Sequence, residues 1–157
     1  MKRISLIVLI LVLQACSSNT PKPHANELLQ VDIEANADSN RNIATVMDLV
    51  FVKDPEVAKL LNQLTGPQWF ERKAELMLLY ANSISVAAFE VVPLTLEYQV
   101  PLPKHYDDAP NILLFANYLA SEGQYVSELT PFKHLKIRLL RDQYQLIEVN
   151  TAITKED

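Results

Sequence analysis

Apolar side chains recur at every second position from Leu29 to Ala35, where Leu29, Val31, Ile33 and Ala35 are separated by Gln30, Asp32 and Glu34. A period of two places alternate side chains on opposite faces of a strand, so this stretch predicts a half-buried β-strand. Asn36 to Asn42 is polar and rich in turn formers, and it predicts an exposed loop. Thr45–Val52 is apolar almost throughout, the pattern of a strand lying centrally in its sheet.

The period then lengthens. Asp54-Pro55 is a helix start, with an aspartate cap and proline in the first turn. Val57, Leu60, Leu61 and Leu64 follow at helical spacing. Gly66-Pro67 interrupts the chain, and a second helix is expected from about Gln68. Its buried stripe would be Phe70, Ala74, Met77 and Ala81, broadened by Trp69, Leu76 and Tyr80; Glu71, Arg72, Lys73 and Glu75 would lie largely in solvent. Trp69-Phe70 could serve as an exposed anchor for a partner, but the helical spacing favours packing against a sheet.

After Asn82 short strands resume, at Ile84–Val92, Leu94–Val100, Ile112–Ala120, Tyr125–Leu129, Leu135–Leu140 and Tyr144–Val149. Pro93 divides the first two. Residues 101–110, with three prolines and Asp107-Asp108, form a long loop. Eight strands with one helical interruption predict a mainly β domain, a two-sheet sandwich spanning 28–150 with a two-helix insertion at about 54–81. A polar tail at 151–157 follows.

The N-terminus has a different logic. Met1-Lys2-Arg3 is basic, and Ile4 to Leu13 is apolar except for Ser5. That run is too short for the roughly twenty residues of a membrane-spanning helix and fits a secretory leader, residues 1–15. Leu13-Gln14-Ala15-Cys16 resembles a lipobox, the processing site of bacterial lipoproteins. The likeness implies cleavage before Cys16 and lipid, including palmitate, on its thiol and new amino group. Two or more acyl chains hold a protein firmly to a membrane. Ser17, not aspartate, follows the cysteine, which by the enteric retention rule implies the outer membrane, periplasmic side. Residues 16–27 read as a lipidated flexible tether.

Composition narrows the chemistry. Loss of Lys2 and Arg3 with the leader takes the formal charge from −5 to −7, which gives no support for nucleic-acid binding. Two glycines, Gly66 and Gly123, cannot build a dinucleotide turn, a P-loop or a nucleophile elbow. Cys16 is the single cysteine, so no intrachain disulfide can form, and lipid would consume its thiol. His24, His105 and His134 are scattered, unlike a zinc site. Asp107-Asp108 could attract a cation, but the loop lacks the patterned ligands of a calcium site. No catalytic residue, metal or cofactor beyond the covalent lipid is expected, and the chain does not read as an enzyme.

The order of features resembles the TssJ/SciN family, the outer-membrane lipoproteins of type VI secretion systems. That order is lipobox, polar tether, alternating strand, polar loop, apolar strand, helical insertion and six further strands. Met47-Asp48-Leu49-Val50-Phe51-Val52 stands where the family's second strand precedes its helices, and Asn111-Ile112-Leu113-Leu114-Phe115-Ala116-Asn117-Tyr118 where a late core strand ends. Asn36-Ala37 and Ile43-Ala44 depart from the family's Asn-Pro turn and its proline before the second strand, as in a divergent branch. The resemblance implies a transthyretin-like β-sandwich and a non-enzymatic assembly and anchoring subunit. Its partner would be the periplasmic domain of a large inner-membrane, TssM-like component. The matching grip is the loop between the first two strands, giving Asp38, Ser39, Asn40 and Arg41 as contact candidates. A pilotin or accessory lipoprotein of another secretion machine is the alternative. A periplasmic ligand-binding or hydrolytic lipoprotein is a weaker one.

Overall fold

A computed structural model describes residues 25–150. The leader at 1–15, Cys16 and its lipid, His24, the rest of the tether before residue 25, and the tail at 151–157 lie outside the described residues.

Two four-stranded sheets face one another. The first has the order β4-β1-β7-β8 and the second β3-β2-β5-β6. In chain order the strands are β1 (Gln30–Ala35), β2 (Thr45–Val52), β3 (Ile84–Val91), β4 (Tyr98–Gln99), β5 (Asn111–Ala116), β6 (Ser127–Glu128), β7 (His134–Leu139) and β8 (Tyr144–Glu148). Helices α1 (Pro55–Leu61) and α2 (Gly66–Leu79) lie between β2 and β3 in sequence. The two-sheet sandwich with its helical insertion after the second strand is therefore present. One pairing, β1 with β7, is parallel and runs in register from Gln30↔His134 to Ala35↔Leu139. The other strand pairs are antiparallel.

The burial explains the two kinds of strand pattern. Val31, Ile33 and Ala35 of β1 face the second sheet, while Asp32 and Glu34 face out. Strands β2 and β5 are buried on both faces, which is why Leu49–Val52 and Ile112–Ala116 read as continuous apolar runs. One face contributes Met47, Leu49, Phe51, Ile112 and Leu114 to the core between the sheets. The other contributes Val50, Val52, Leu113 and Phe115 to a second core under the helices, with Val57, Leu61, Trp69 and Leu76.

Local chemistry sets the helix ends. The Asp54 side chain accepts from Glu56 N at 2.9 Å and caps α1 as expected. Helix α2 starts at Gly66, two residues earlier than its pattern suggested, because Thr65 and Gln68 close a capping box around that turn. Gly66 also meets β5 closely: a Cβ there would lie 2.0 Å from the Ala116 carbonyl oxygen. Only a glycine allows that approach.

Several expectations need correction. The buried stripe of α2 is Gly66, Trp69 and Leu76, with Phe70, Met77 and Tyr80 at its margins; Ala74 and Ala81 are exposed. Leu94–Val100 is not a full strand: only Tyr98 and Gln99 pair with β1, since Leu94 holds a left-handed φ of 66° in the turn after Pro93. Leu29 is exposed and Leu28 takes the core position, as Leu29 N and Gln30 N both donate to the Lys133 carbonyl and break the alternation there. The tether ends sooner than residue 27. Asn26 is buried, its Nδ2 donating to the Tyr106 and Ala109 carbonyls at 2.9 Å each, and Ala25 N donates to Asp107 O.

Candidate partner-binding end

Strand directions give the sandwich two unlike ends. The chain enters at Ala25–Leu29, beside residues 101–110 and Lys133, and the last strand returns there, with Val149 N donating to His134 O. At the opposite end, one strand length or about 20–25 Å away, lie the turns following β1, β3, β5 and β7. The sequence brings these four segments together only through the fold.

They are knitted by hydrogen bonds. Leu94 N donates to Asn36 O, Ala35 N to Thr95 O, and Asn36 N to Leu139 O. Asn40 is the hub. Its N–H donates to Leu140 O at 3.0 Å, and its Oδ1 accepts from Leu119 N at 2.8 Å. Reaching both requires a left-handed backbone at Asn40 (φ 44°, ψ 41°), continued by Arg41 (φ 57°, ψ 42°) and Asn42 (φ 66°). Asparagine tolerates that region better than most residues. Tyr118 closes the same end, its hydroxyl donating to Leu140 O at 3.2 Å; burial pushes its hydroxyl pKa up.

The four expected contact residues divide at this turn. Arg41 is exposed and pairs with Asp142, Nε to Oδ1 2.7 Å, across to the β7–β8 turn. Asp38 is half-buried. Ser39 and Asn40 are buried, contrary to an exposed loop, because the segment folds into a 3-10 turn (Ser39–Asn42) that packs inward. The Ser39 hydroxyl finds no hydrogen-bond partner among the described residues. Beside exposed polar groups such as Asn42, Asn117 and Arg141, the end presents a set of apolar side chains: Ile43, Val46, Val92, Leu94, Leu96 and Leu119 are all exposed, Leu96 at 88%.

A second polar feature was not anticipated. Asp48 is fully buried in β2, with Oδ2 accepting from Trp69 Nε1 and from Lys73 Nζ, each at 2.7 Å. Lys73, expected in solvent, thus turns in between Trp69 and Leu76. Trp69 also stacks on Phe115, centroids 4.9 Å apart, so it packs in the core and is not an exposed anchor. The signal in the sequence was a lone aspartate inside a strand read as central. A carboxylate can be buried there only with a cation or donors beside it.

Little in the rest of the surface suggests chemistry. Among the described residues no group of three or more His, Cys, Asp or Glu could hold a metal ion. His105 sits at a left-handed turn, and His134 N donates to Glu148 Oε1 at 3.0 Å. Two openings of about 370 Å³ flank Leu29 and Tyr106. Glu27 and Lys133 in the second face each other at 3.8 Å. No helix among the described residues is long and apolar enough to cross a membrane.

The architecture is a small two-sheet β-sandwich with two helices inserted after the second strand. Two solved structures are similar. Lip of Serratia marcescens, a membrane-bound component of the type VI secretion system, matches with a TM-score of 0.51 and 12% identity over 76% of this chain and 96% of that one. TssJ1 of Pseudomonas aeruginosa, a type VI secretion lipoprotein, matches with a TM-score of 0.54 and 12% identity over 75% and 92%. The fold implied by the TssJ/SciN resemblance is thus the fold this chain has. No protein-family model matches the sequence, and no curated protein does.

Proposed function

We propose that the chain is a divergent TssJ/SciN-type lipoprotein, an assembly and anchoring subunit of a type VI secretion trans-envelope complex and not an enzyme. Lipid on Cys16 holds it to the periplasmic face of the outer membrane. The distal end meets the periplasmic domain of a large, TssM-like inner-membrane component. One observation carries the reading: four turns are joined by hydrogen bonds into one end that bears six exposed apolar side chains, and it lies opposite the point where the chain enters the sandwich. A lipid-held body with that layout points that end into the periplasm. Arg41 and Asp38 supply polar edges to the contact, while Ser39 and Asn40 shape it from beneath. Loops fixed on a rigid sheet are common binding surfaces.

Affinity purification of the native protein tests this. A large inner-membrane protein should co-purify, and Leu94→Asp with Leu96→Asp should abolish its recovery while the melting temperature stays unchanged. Cys16→Ser should leave the protein soluble in the periplasm and stop secretion. Recovery of an outer-membrane secretin instead would favour the pilotin reading, and recovery of soluble partners alone would defeat both.

A further inference from the structure

We propose that the outer edge of β3 is a second docking site, one that takes an extended segment of a partner protein by strand addition. The segment would alternate apolar and basic side chains. Strand β3 is paired with β2 along all eight of its residues, from Ile84↔Val52 to Val91↔Thr45. Lys53 N donates to Ser83 O, which sets the phase of that ladder. In an antiparallel pair the hydrogen-bonded positions alternate, so Ser85, Ala87, Phe89 and Val91 spend their backbone groups on β2. The N–H and C=O groups of Val86, Ala88 and Glu90 point the other way. No backbone bond to them comes from any other described residue.

Sheet edges of this kind invite pairing, and proteins normally blunt them with lysine, proline, a bulge or a short strand. Two of the other three edges follow that rule, since β4 and β6 are two residues long and Pro101 follows β4 closely; the third, β8, is five residues long, so β3 is the longest edge of the sandwich. Ile-Ser-Val-Ala-Ala-Phe-Glu-Val carries no lysine, proline or bulge, and its one charge, Glu90, stands next to its last residue. Charge identifies the occupant. A groove of about 190 Å³ opens between β3 and the segment before β4, and its lining includes Glu90 and Glu97. Both are exposed, and neither forms an ion pair with a described residue. An added strand would set one row of side chains beside half-buried Ala87 and Phe89, which suits apolar groups. Its other row would stand beside Ala88 and Glu90, which suits lysine or arginine. The negative charge of the whole chain opposes a second copy as the occupant.

The test uses the full chain in detergent and two synthetic peptides, one alternating valine with lysine and one alternating valine with glutamate. Titration with the lysine peptide should slow amide exchange at Val86, Ala88 and Glu90 and leave Ala87 and Phe89, already bonded to β2, unchanged. The glutamate peptide should bind at least about tenfold more weakly. Ala88→Pro removes an outward N–H and no bond within the sheet. It should weaken the lysine peptide at least about tenfold at an unchanged melting temperature. Ala88→Lys, which leaves the backbone intact, should weaken the same peptide if the proline variant fails to fold. Equal binding of the two peptides, or protection elsewhere than at the three outward amides, overturns the proposal. So does a concentration-dependent dimer in sedimentation that Ala88→Pro abolishes, since the edge would then belong to a second copy.

Discussion

Asn40 separates a shaping role from a contact role, because its side chain is buried yet sits in the turn expected to grip a partner. Asn40→Ala deletes the acceptor of Leu119 N, leaving a half-buried donor unpaired at about 1–3 kcal/mol. Alanine must also hold the left-handed backbone that asparagine tolerates, adding about 1 kcal/mol. The total is about 2–4 kcal/mol, or a fall of roughly 6–20 °C in melting temperature for a domain of this size. Asn40→Gly relieves the backbone but not the donor and should fall between alanine and the parent. Asn40→Asp keeps an acceptor oxygen and should lie within about 1 kcal/mol of the parent. Urea denaturation of the four proteins orders them, and partner capture is measured on each at a temperature where all are folded. The reasoning fails if Asn40→Ala is as stable as the parent, or if Asn40→Asp is fully stable yet loses the partner. The second result would make the side-chain amide itself a contact.

Three other perturbations follow from the same structure. Lys73→Met leaves the buried Asp48 carboxylate without its cation and should cost about 2–4 kcal/mol, the lower end reflecting the solvent that reaches Lys73; the double variant Asp48→Leu with Lys73→Met should recover most of it, and a strictly additive double-mutant cycle in urea would refute the coupling. Gly66→Ala drives a methyl into the Ala116 carbonyl and should cost about 1–3 kcal/mol, whereas helix propensity alone would make it stabilising, so the sign of the melting shift decides. Glu34 is held below its ordinary 4.5 by the Arg138 hydrogen bond first; burial opposes this, and Lys136 adds to the lowering. Its contribution is therefore complete above pH 4.5 and is lost as pH falls through the lower folded value; Glu34→Gln should narrow the gap between denaturation midpoints at pH 7 and about pH 3, and an unchanged gap would count against the pairing.

The strands and helices were largely legible because their signals are local. Alternation marked Val31, Ile33 and Ala35 as one face of β1, an unbroken apolar run marked β2 as doubly covered, and Asp54-Pro55 marked the first turn of α1. Thr65 and Gln68 were equally local and placed the start of α2 at Gly66; a stripe drawn through Phe70 and Ala74 overlooked them. Even a broken alternation can be misread locally, as at Leu28 and Leu29, since one shared carbonyl at Lys133 decides which side chain turns inward.

What tertiary structure alone decided is who meets whom. Lys73 looks like one more charge on a wet helix face until the register of β2 brings a buried carboxylate beneath it. Ser39 and Asn40 look like loop surface until the β5 and β7 turns, far away in sequence, close over them with Leu119 N and Leu140 O. The parallel match of β1 with β7, and with it the gathering of four turns at one end, has no trace in local periodicity. Spacing along a chain reports which face a residue occupies, because backbone geometry repeats over a few residues. It carries no information on the partner across the gap, which is set by packing between segments dozens of residues apart.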